Sequence, residues 1–233
     1  MYTDTAAIRS MFGALAERYD LFNRLVSLGM DRSWRRETVH DIQPGMRVLD
    51  VGTGTGDLAF EALRRLNGQG EVVGLDFSAP MLRLAREKGR RLGLGGKIRW
   101  VELPAWEIPF EDEPYDIVIS GFVLRNLLKD IDRVLDGIFH ALRPGGLIRF
   151  LDITEPDHAV MRWINQAYFR TIVRGWGKLC FGDSHPVDYL EDSIASFPRV
   201  IEFQSKLASH GFRNLGLKRF LGGTITLYEG VKY

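Results

Sequence analysis

Val48-Leu49-Asp50-Val51-Gly52-Thr53-Gly54-Thr55-Gly56-Asp57 (VLDVGTGTGD) runs from an apolar stretch through three alternating glycines to an acidic residue. Met46–Val51 is short, apolar and rich in β-branched residues, which predicts a strand. Leu58–Leu66 has the spacing of a helix. A strand that turns through glycines into a helix lets the backbone approach a ligand closely, because glycine has no Cβ to hold it away.

The alternation continues beyond the loop. Glu71–Asp76 reads as a second strand, Leu82–Leu92 as a helix, Ile98–Leu103 as a third strand and Asp116–Ser120 as a fourth. Ile131–Leu142 reads as a helix stopped at Pro144-Gly145-Gly146, with a fifth strand over Leu147–Ile153. Gly216–Phe220 and Thr224–Val231 read as a closing pair joined by a tight hairpin at Gly222-Gly223. Such a pattern implies a parallel sheet with helices on both faces. Its ligands bind at the carboxyl ends of the strands.

Upstream, the first 42 residues read as helical. Ile8, Phe12, Leu15, Ala16 and Tyr19 make one apolar face, and Asp31 is placed to cap a second helix running to His40. Thr154–Phe212 interrupts the alternation with aromatic-rich helices. One domain is expected: a helical cap (1–42), a cofactor-binding core (43–153), a substrate-side insertion (154–212) and the closing hairpin (213–233).

Composition narrows the class. A chain of 233 residues that is 45% hydrophobic can bury one full core. Its formal net charge of +1 gives no field to attract nucleic acid. Arg35-Arg36 and Arg90-Arg91 read as solvated helix faces. Cys180 is the single cysteine. It can form no intrachain disulfide, which fits a reducing, cytoplasmic setting. The N-terminal residues do not read as a signal peptide, and no run of apolar residues is long enough to span a membrane. Contact with a membrane surface and a homodimer stay open. His40, His140, His158, His185 and His210 are not spaced as metal ligands, so no metal is expected. His158 or His185 could serve as a base.

Charge then selects the cofactor. Asp76 closes the second strand, where a carboxylate can accept ribose hydroxyls. A dinucleotide fingerprint would put glycine at position 57, where this chain has Asp57 at a helix start. That carboxylate would repel a pyrophosphate, and Asp50 adds a second negative charge. S-adenosylmethionine has no phosphate and carries a sulfonium and an ammonium, so carboxylates attract it. It is preferred to a nicotinamide dinucleotide.

Further motifs carry a resemblance. They include Tyr19-Asp20 with Asn23, Ser27-Leu28-Gly29, Asp31-Arg32 with Trp34-Arg35, and Gly74-Leu75-Asp76-Phe77-Ser78 with Met81-Leu82. Downstream come Leu124-Arg125-Asn126, Arg143-Pro144-Gly145-Gly146, Tyr189-Leu190, Ser193-Ile194 and Phe197-Pro198. Over almost its whole length the chain resembles the ubiquinone/menaquinone biosynthesis C-methyltransferases, most of all the demethylmenaquinone methyltransferases. The Leu124-Arg125-Asn126 and Tyr189–Pro198 segments are the most restricted to that family.

The resemblance implies a class I methyltransferase (Rossmann-like) fold, a mostly parallel seven-stranded sheet with an antiparallel final strand. It implies Thr55 and Asp76 at cofactor positions, within a site formed by Asp50, Gly52, Thr53, Gly54, Gly56, Asp57, Phe77 and Met81. Pro104-Ala105 would lie at the adenine edge and Gly121 beside the cofactor. Pro104 stands where the family carries aspartate or asparagine, Gly121 where some members carry serine, and Asp152 where glutamate is common. The implied reaction moves a methyl group from sulfur to a ring carbon of a prenylated quinol, leaving S-adenosylhomocysteine. Arg125 would favour the quinol oxyanion and Asn126 would hold a water that relays the proton. Read alone, Arg125-Asn126 suits a surface ion pair and helix cap as well. Tyr19, Phe22, Trp163, Tyr168 and Tyr189 are the aromatics expected to line the acceptor pocket. A methyltransferase for a benzoquinol, a phospholipid headgroup or a small molecule, and a non-catalytic S-adenosylmethionine-binding protein, are the competing readings.

Overall fold

In the computed structural model the glycine loop leaves the end of β1 (Arg47–Val51) and opens α3 (Asp57–Leu66). The structure describes residues 5–109, 113–182 and 186–233, with side chains described from residue 16 onward. The other strands are β2 (Glu71–Asp76), β3 (Arg99–Glu102), β4 (Tyr115–Gly121), β5 (Leu142–Ile153), β6 (Phe212–Phe220) and β7 (Ile225–Lys232). They form one sheet in the order β3-β2-β1-β4-β5-β7-β6. The pairings from β3 through to β5 are parallel, and β7 runs against both β5 and β6. The chain winds outward from β1 in one direction and from β4 in the other. The crevice between those two strand ends is therefore the switch point at which such sheets take ligands.

Alternation along the central strands assigns the two faces. Val48, Val72, Ile117 and Ile119 pack under α3, together with Val39 and Ile42. Leu49, Val51, Val73, Val118 and Phe150 face the other way, against α5 (Ile131–Ala141) and α9 (Val200–Ser209). Period-two side chains on a strand buried on both sides give this division. α4 (Ala79–Arg91) flanks α3, with Gly89 close to the Phe60 ring.

Above the carboxyl ends lies a helical cover. It consists of α1 (Thr5–Val26), α2 (Asp31–Thr38), α6 (Ala159–Tyr168), α7 (Arg174–Phe181) and α8 (Val187–Ser196). A π turn at Phe169–Val173 joins α6 to α7. Phe22, Val173, Cys180 and Val187 form a small core of their own that holds this cover together. Ala16 is buried on the inner face of α1. The side chains of Ile8, Phe12 and Leu15 lie outside the described residues.

Three expectations are corrected. Asp31 is the first residue of α2 and makes no cap hydrogen bond; it accepts instead from Ser27 Oγ (3.0 Å) and Arg24 Nη1 (3.1 Å). α2 ends at Thr38, short of His40. Pro144-Gly145-Gly146 does not separate α5 from the strand. β5 already begins at Leu142, opposite Tyr115, and Arg143–Gly146 bulge out before Leu147 pairs with Ile117. Gly145, with φ 75°, permits that excursion. Finally, α9 is not part of the cover, because Val200, Phe203 and Leu207 are buried in the main core.

Candidate active site

The loop is pinned to β2 before any ligand is considered. Gly52 N–H and Thr53 N–H both donate to the Leu75 carbonyl, at 2.8 and 2.9 Å. Gly54 N–H donates to Asp76 Oδ2 and Ser78 N–H to Asp76 Oδ1, each at 2.8 Å. A carboxylate oxygen can accept more than one hydrogen bond, so Asp76 suits a ribose hydroxyl. A Cβ at Gly52 would fall 2.5 Å from Val123, whereas one at Gly54 would meet nothing within 4 Å among the described residues. Gly54 is where the backbone lies open to a ligand. Gly56, with φ 84°, serves packing instead: a Cβ there would sit 2.6 Å from the Trp100 ring.

A cavity of about 300 Å³ lies along these strand ends. Gly52, Thr53, Gly54, Thr55, Asp57, Asp76, Phe77, Met81, Ala105 and Gly121 all line it. Asp50, Gly56 and Pro104 do not. The Pro104 carbonyl accepts from Glu107 N–H at 2.9 Å, closing a turn that presents Ala105 and Trp106 to the cavity. Proline's role there is to shape the turn.

The two carboxylates that favoured a cationic ligand have other duties. Asp50 is 1% exposed, and its Oδ2 accepts from Thr53 Oγ1 at 2.6 Å, bracing the loop from behind. Burial pushes its pKa up to about 7, against the smaller lowering effects of Thr53 and Arg35. Asp57 receives Lys88 Nζ at 2.8 Å and faces Arg35 Nε at 3.9 Å. Burial alone would raise the pKa of Asp57, but Lys88 and Arg35 outweigh it and hold the carboxyl below the usual range. Lys88 also reaches Asp20 Oδ2 (2.5 Å) and Thr55 Oγ1 (3.1 Å), and Thr55 donates to Asp20 Oδ1 (2.6 Å). α1 is thereby tied to the loop. Asp20, Lys88, Trp106 and Arg35 are not among the expected site residues. Asp20 and Arg35 stand in motifs that carry the resemblance and Trp106 directly follows Ala105, whereas Lys88 has no such signal.

Beside this cavity lies a second one of about 470 Å³, mainly apolar, with Phe22, Trp34, Tyr168 and Phe169 in its wall. Tyr19, Arg35, Phe122, Arg125 and Tyr189 border both cavities. Trp163 does not reach either; it points outward from α6 and is 70% exposed, because its helical phase is opposite to that of Met161 and Asn165. His158 is exposed, and His185 lies outside the described residues.

Arg125 sits in a 3₁₀ turn, Leu124–Leu127, just after β4. Its Nη1 donates to Asp152 Oδ1 at 2.6 Å and to the Phe122 carbonyl at 2.8 Å. Its backbone N–H donates to Asp152 Oδ2 at 3.3 Å. Phe122 holds a left-handed φ of 64°, which a bulky residue adopts only under constraint. That bend turns the chain so that Arg125 meets the end of β5. Next to it, Tyr189 Oη donates to Asn126 Oδ1 at 2.9 Å, and burial raises the pKa of the tyrosine.

The sequence matches the ubiE/COQ5 methyltransferase family over residues 1–232. The chain belongs to that family. It is 38% identical over 227 residues to the ubiquinone/menaquinone biosynthesis C-methyltransferase UbiE of Geobacter sulfurreducens, covering 97% of this chain and 88% of the relative. The namesake from Idiomarina loihiensis is 33% identical over 228 residues, covering 97% and 90%. Solved structures show the fold. A SAM-dependent methyltransferase from Aquifex aeolicus superposes with a TM-score of 0.62 at 18% identity, over 86% of this chain and 88% of that one. Phosphoethanolamine N-methyltransferase 2 of Haemonchus contortus, in complex with S-adenosyl-L-methionine, gives 0.61 at 15% identity, over 87% and 52%. The chain is an S-adenosylmethionine-dependent C-methyltransferase. The open backbone at Gly54, the Asp76 carboxylate and the turn at Ala105-Trp106 suit that cofactor.

Asp50 gives a pH test. Its folded pKa lies above its unfolded value, so its contribution to stability is lost as pH rises from about 4 toward 7. Asp50→Asn escapes that loss. The melting temperature of the variant minus that of the wild type should rise between pH 5 and pH 7 and level off by pH 8. A difference constant across that range would contradict a protonated Asp50.

Proposed function

We propose that the chain methylates a ring carbon of a reduced, prenylated quinone, with demethylmenaquinol as acceptor and menaquinol as product. The observation that carries this reading is the meeting of the two cavities at buried Arg125 and Tyr189. The polar cavity suits S-adenosylmethionine, and the apolar one suits a ring with a hydrocarbon tail. Choosing a naphthoquinol over a benzoquinol rests on the resemblance carried by Leu124-Arg125-Asn126 and Tyr189–Pro198.

Bound S-adenosylmethionine supplies a methyl group on a positively charged sulfur. What the protein must do is orient the ring and make its carbon nucleophilic. A quinol hydroxyl, like that of tyrosine, has a free pKa of about 10. A close guanidinium lowers such a value by about one to three units. Arg125 stays charged, and Asp152 holds its guanidinium at the shared wall. Tyr189 Oη donates a hydrogen bond to Asn126, and a phenol oxygen can also accept one from a substrate hydroxyl. The amide hydrogens of Asn126 can hold the relaying water. The cover of α1, α6 and α8 limits access of bulk water, which strengthens these charges.

The tail's exit is marked by Leu28, Ile164 and Leu221, which line the apolar cavity yet are 67%, 45% and 48% exposed. α6 has no buried residue, and Val160, Trp163 and Ile164 make one outward apolar stripe. No helix among the described residues is long and apolar enough to cross a membrane. The stripe suits shallow contact with a lipid surface, from which a prenylated quinol would enter.

Pure protein with labelled S-adenosylmethionine should methylate demethylmenaquinol from a panel of reduced quinones, and transfer to none of them would overturn the reading. Arg125→Leu should lower turnover by about 10²–10³-fold while S-adenosylhomocysteine binds almost as before. Surviving turnover would remove Arg125 from the mechanism. Trp163→Glu should reduce co-sedimentation with phospholipid vesicles and spare methylation of a short-tailed quinol in detergent. Unchanged sedimentation would rule out the α6 stripe as the contact.

A further inference from the structure

The sequence alone puts Arg35 with Arg36 on a solvated helix face, but of the two only Arg36 is exposed. Arg35 is 9% exposed and borders both cavities. Its Nε is buried without a hydrogen-bond partner among the described residues. The carboxylates that face that atom stand off at 3.6 Å (Asp31) and 3.9 Å (Asp57). Both are engaged more closely elsewhere, Asp31 by Ser27 at 3.0 Å and Asp57 by Lys88 at 2.8 Å. A guanidinium has five donors in a rigid fork, and burying it without matched acceptors is unfavourable. This one is poised for an acceptor that the described residues do not provide.

The order of the strand ends says which acceptor. Asp76, the ribose position, closes β2. Ala105 and Trp106 follow β3 and offer apolar and aromatic surface to a base. With the ribose over β2 and the base over β3, the opposite end of the cofactor extends across β1 toward β4. There it meets Gly121, where a Cβ would lie 3.7 Å from Arg35 Nη1. The Arg35 guanidinium is held over the Phe122 ring, 5.4 Å from its centroid. That end of S-adenosylmethionine is an amino acid, with an α-carboxylate whose two oxygens match the fork.

We infer that Arg35 binds the α-carboxylate of S-adenosylmethionine. It anchors the methionyl end so that the sulfur lies near the wall between the cavities. The inference concerns the cofactor alone, so it stands or falls separately from the choice of quinol.

The test is calorimetry on the full chain with three ligands. S-adenosylhomocysteine carries the carboxylate. Its decarboxylated analogue keeps only the amine, and 5′-methylthioadenosine lacks the whole amino-acid end. Arg35→Gln should weaken S-adenosylhomocysteine by about 10- to 100-fold, the range of a lost charge-assisted pair. It should leave the other two ligands within about twofold. Equal weakening of all three would mean that Arg35 only supports the fold of the site. Unchanged binding of S-adenosylhomocysteine would mean that it faces the acceptor instead, and either result overturns the inference. If Arg35→Gln binds no ligand, Arg35→Lys decides, because it keeps the charge and loses the fork. A loss confined to S-adenosylhomocysteine supports the carboxylate contact, and a loss shared by all three refutes it.

Discussion

At the end of β5 a guanidinium and a carboxylate face each other at 2.6 Å, with side chains 5% and 0% exposed. Two charges withdrawn from water in this way are stable only together, since removing either leaves the other uncompensated. Arg125 reaches Asp152 because Phe122 bends the chain at φ 64°, and Phe122 is packed by Trp34 and Arg35. The helical cover and the sheet therefore meet at a strained residue, as they do at the Asp20–Lys88 tie. The cofactor cavity and the apolar cavity meet at the same place. Their common wall is as much a product of that ion pair as of the glycine loop.

The loop itself shows how three acidic residues in one stretch of sequence acquire different roles. Asp76 is hydrogen-bonded by backbone N–H groups and faces the cavity. Asp57 is matched to Lys88, and through it to Asp20 on α1. Asp50 is sealed behind the loop, where burial favours its neutral form. The local field at the site is thus set less by the count of carboxylates than by the partners each one finds. This moderates the attraction expected between Asp50, Asp57 and a cationic cofactor. The same cofactor is supported by the open backbone at Gly54 and by membership of the family.

Most of the core architecture was legible because strands and helices announce themselves by period. Met46–Val51, Glu71–Asp76 and Asp116–Ser120 fell where strands are found, and the glycines marked the ligand end. The failures share a cause, which is that side-chain direction is settled at long range. Nothing local says that Arg35 turns inward while Arg36 turns out, or that Lys88 crosses 31 positions to reach Asp57. Trp163 looked like pocket lining because it is aromatic, yet its phase on α6 sends it outward. Pro104 departs from the family pattern at the adenine edge, and it belongs to the turn that presents Ala105 and Trp106 to the cavity. α9 looked like insertion because it follows the aromatic-rich helices directly in sequence, while the packing of Val200, Phe203 and Leu207 in the main core is settled at long range.

The account depends on the two cavities being the two halves of one reaction site. A crystal structure of the protein with S-adenosylhomocysteine and a short-tailed quinol analogue tests this directly. The sulfur should lie in the polar cavity, facing the wall formed by Arg125 and Tyr189. The ring should lie on the apolar side of that wall, its hydroxyl within hydrogen-bonding reach of Arg125 or Tyr189. A ring bound outside the apolar cavity, or a sulfur turned away from Arg125, would contradict it.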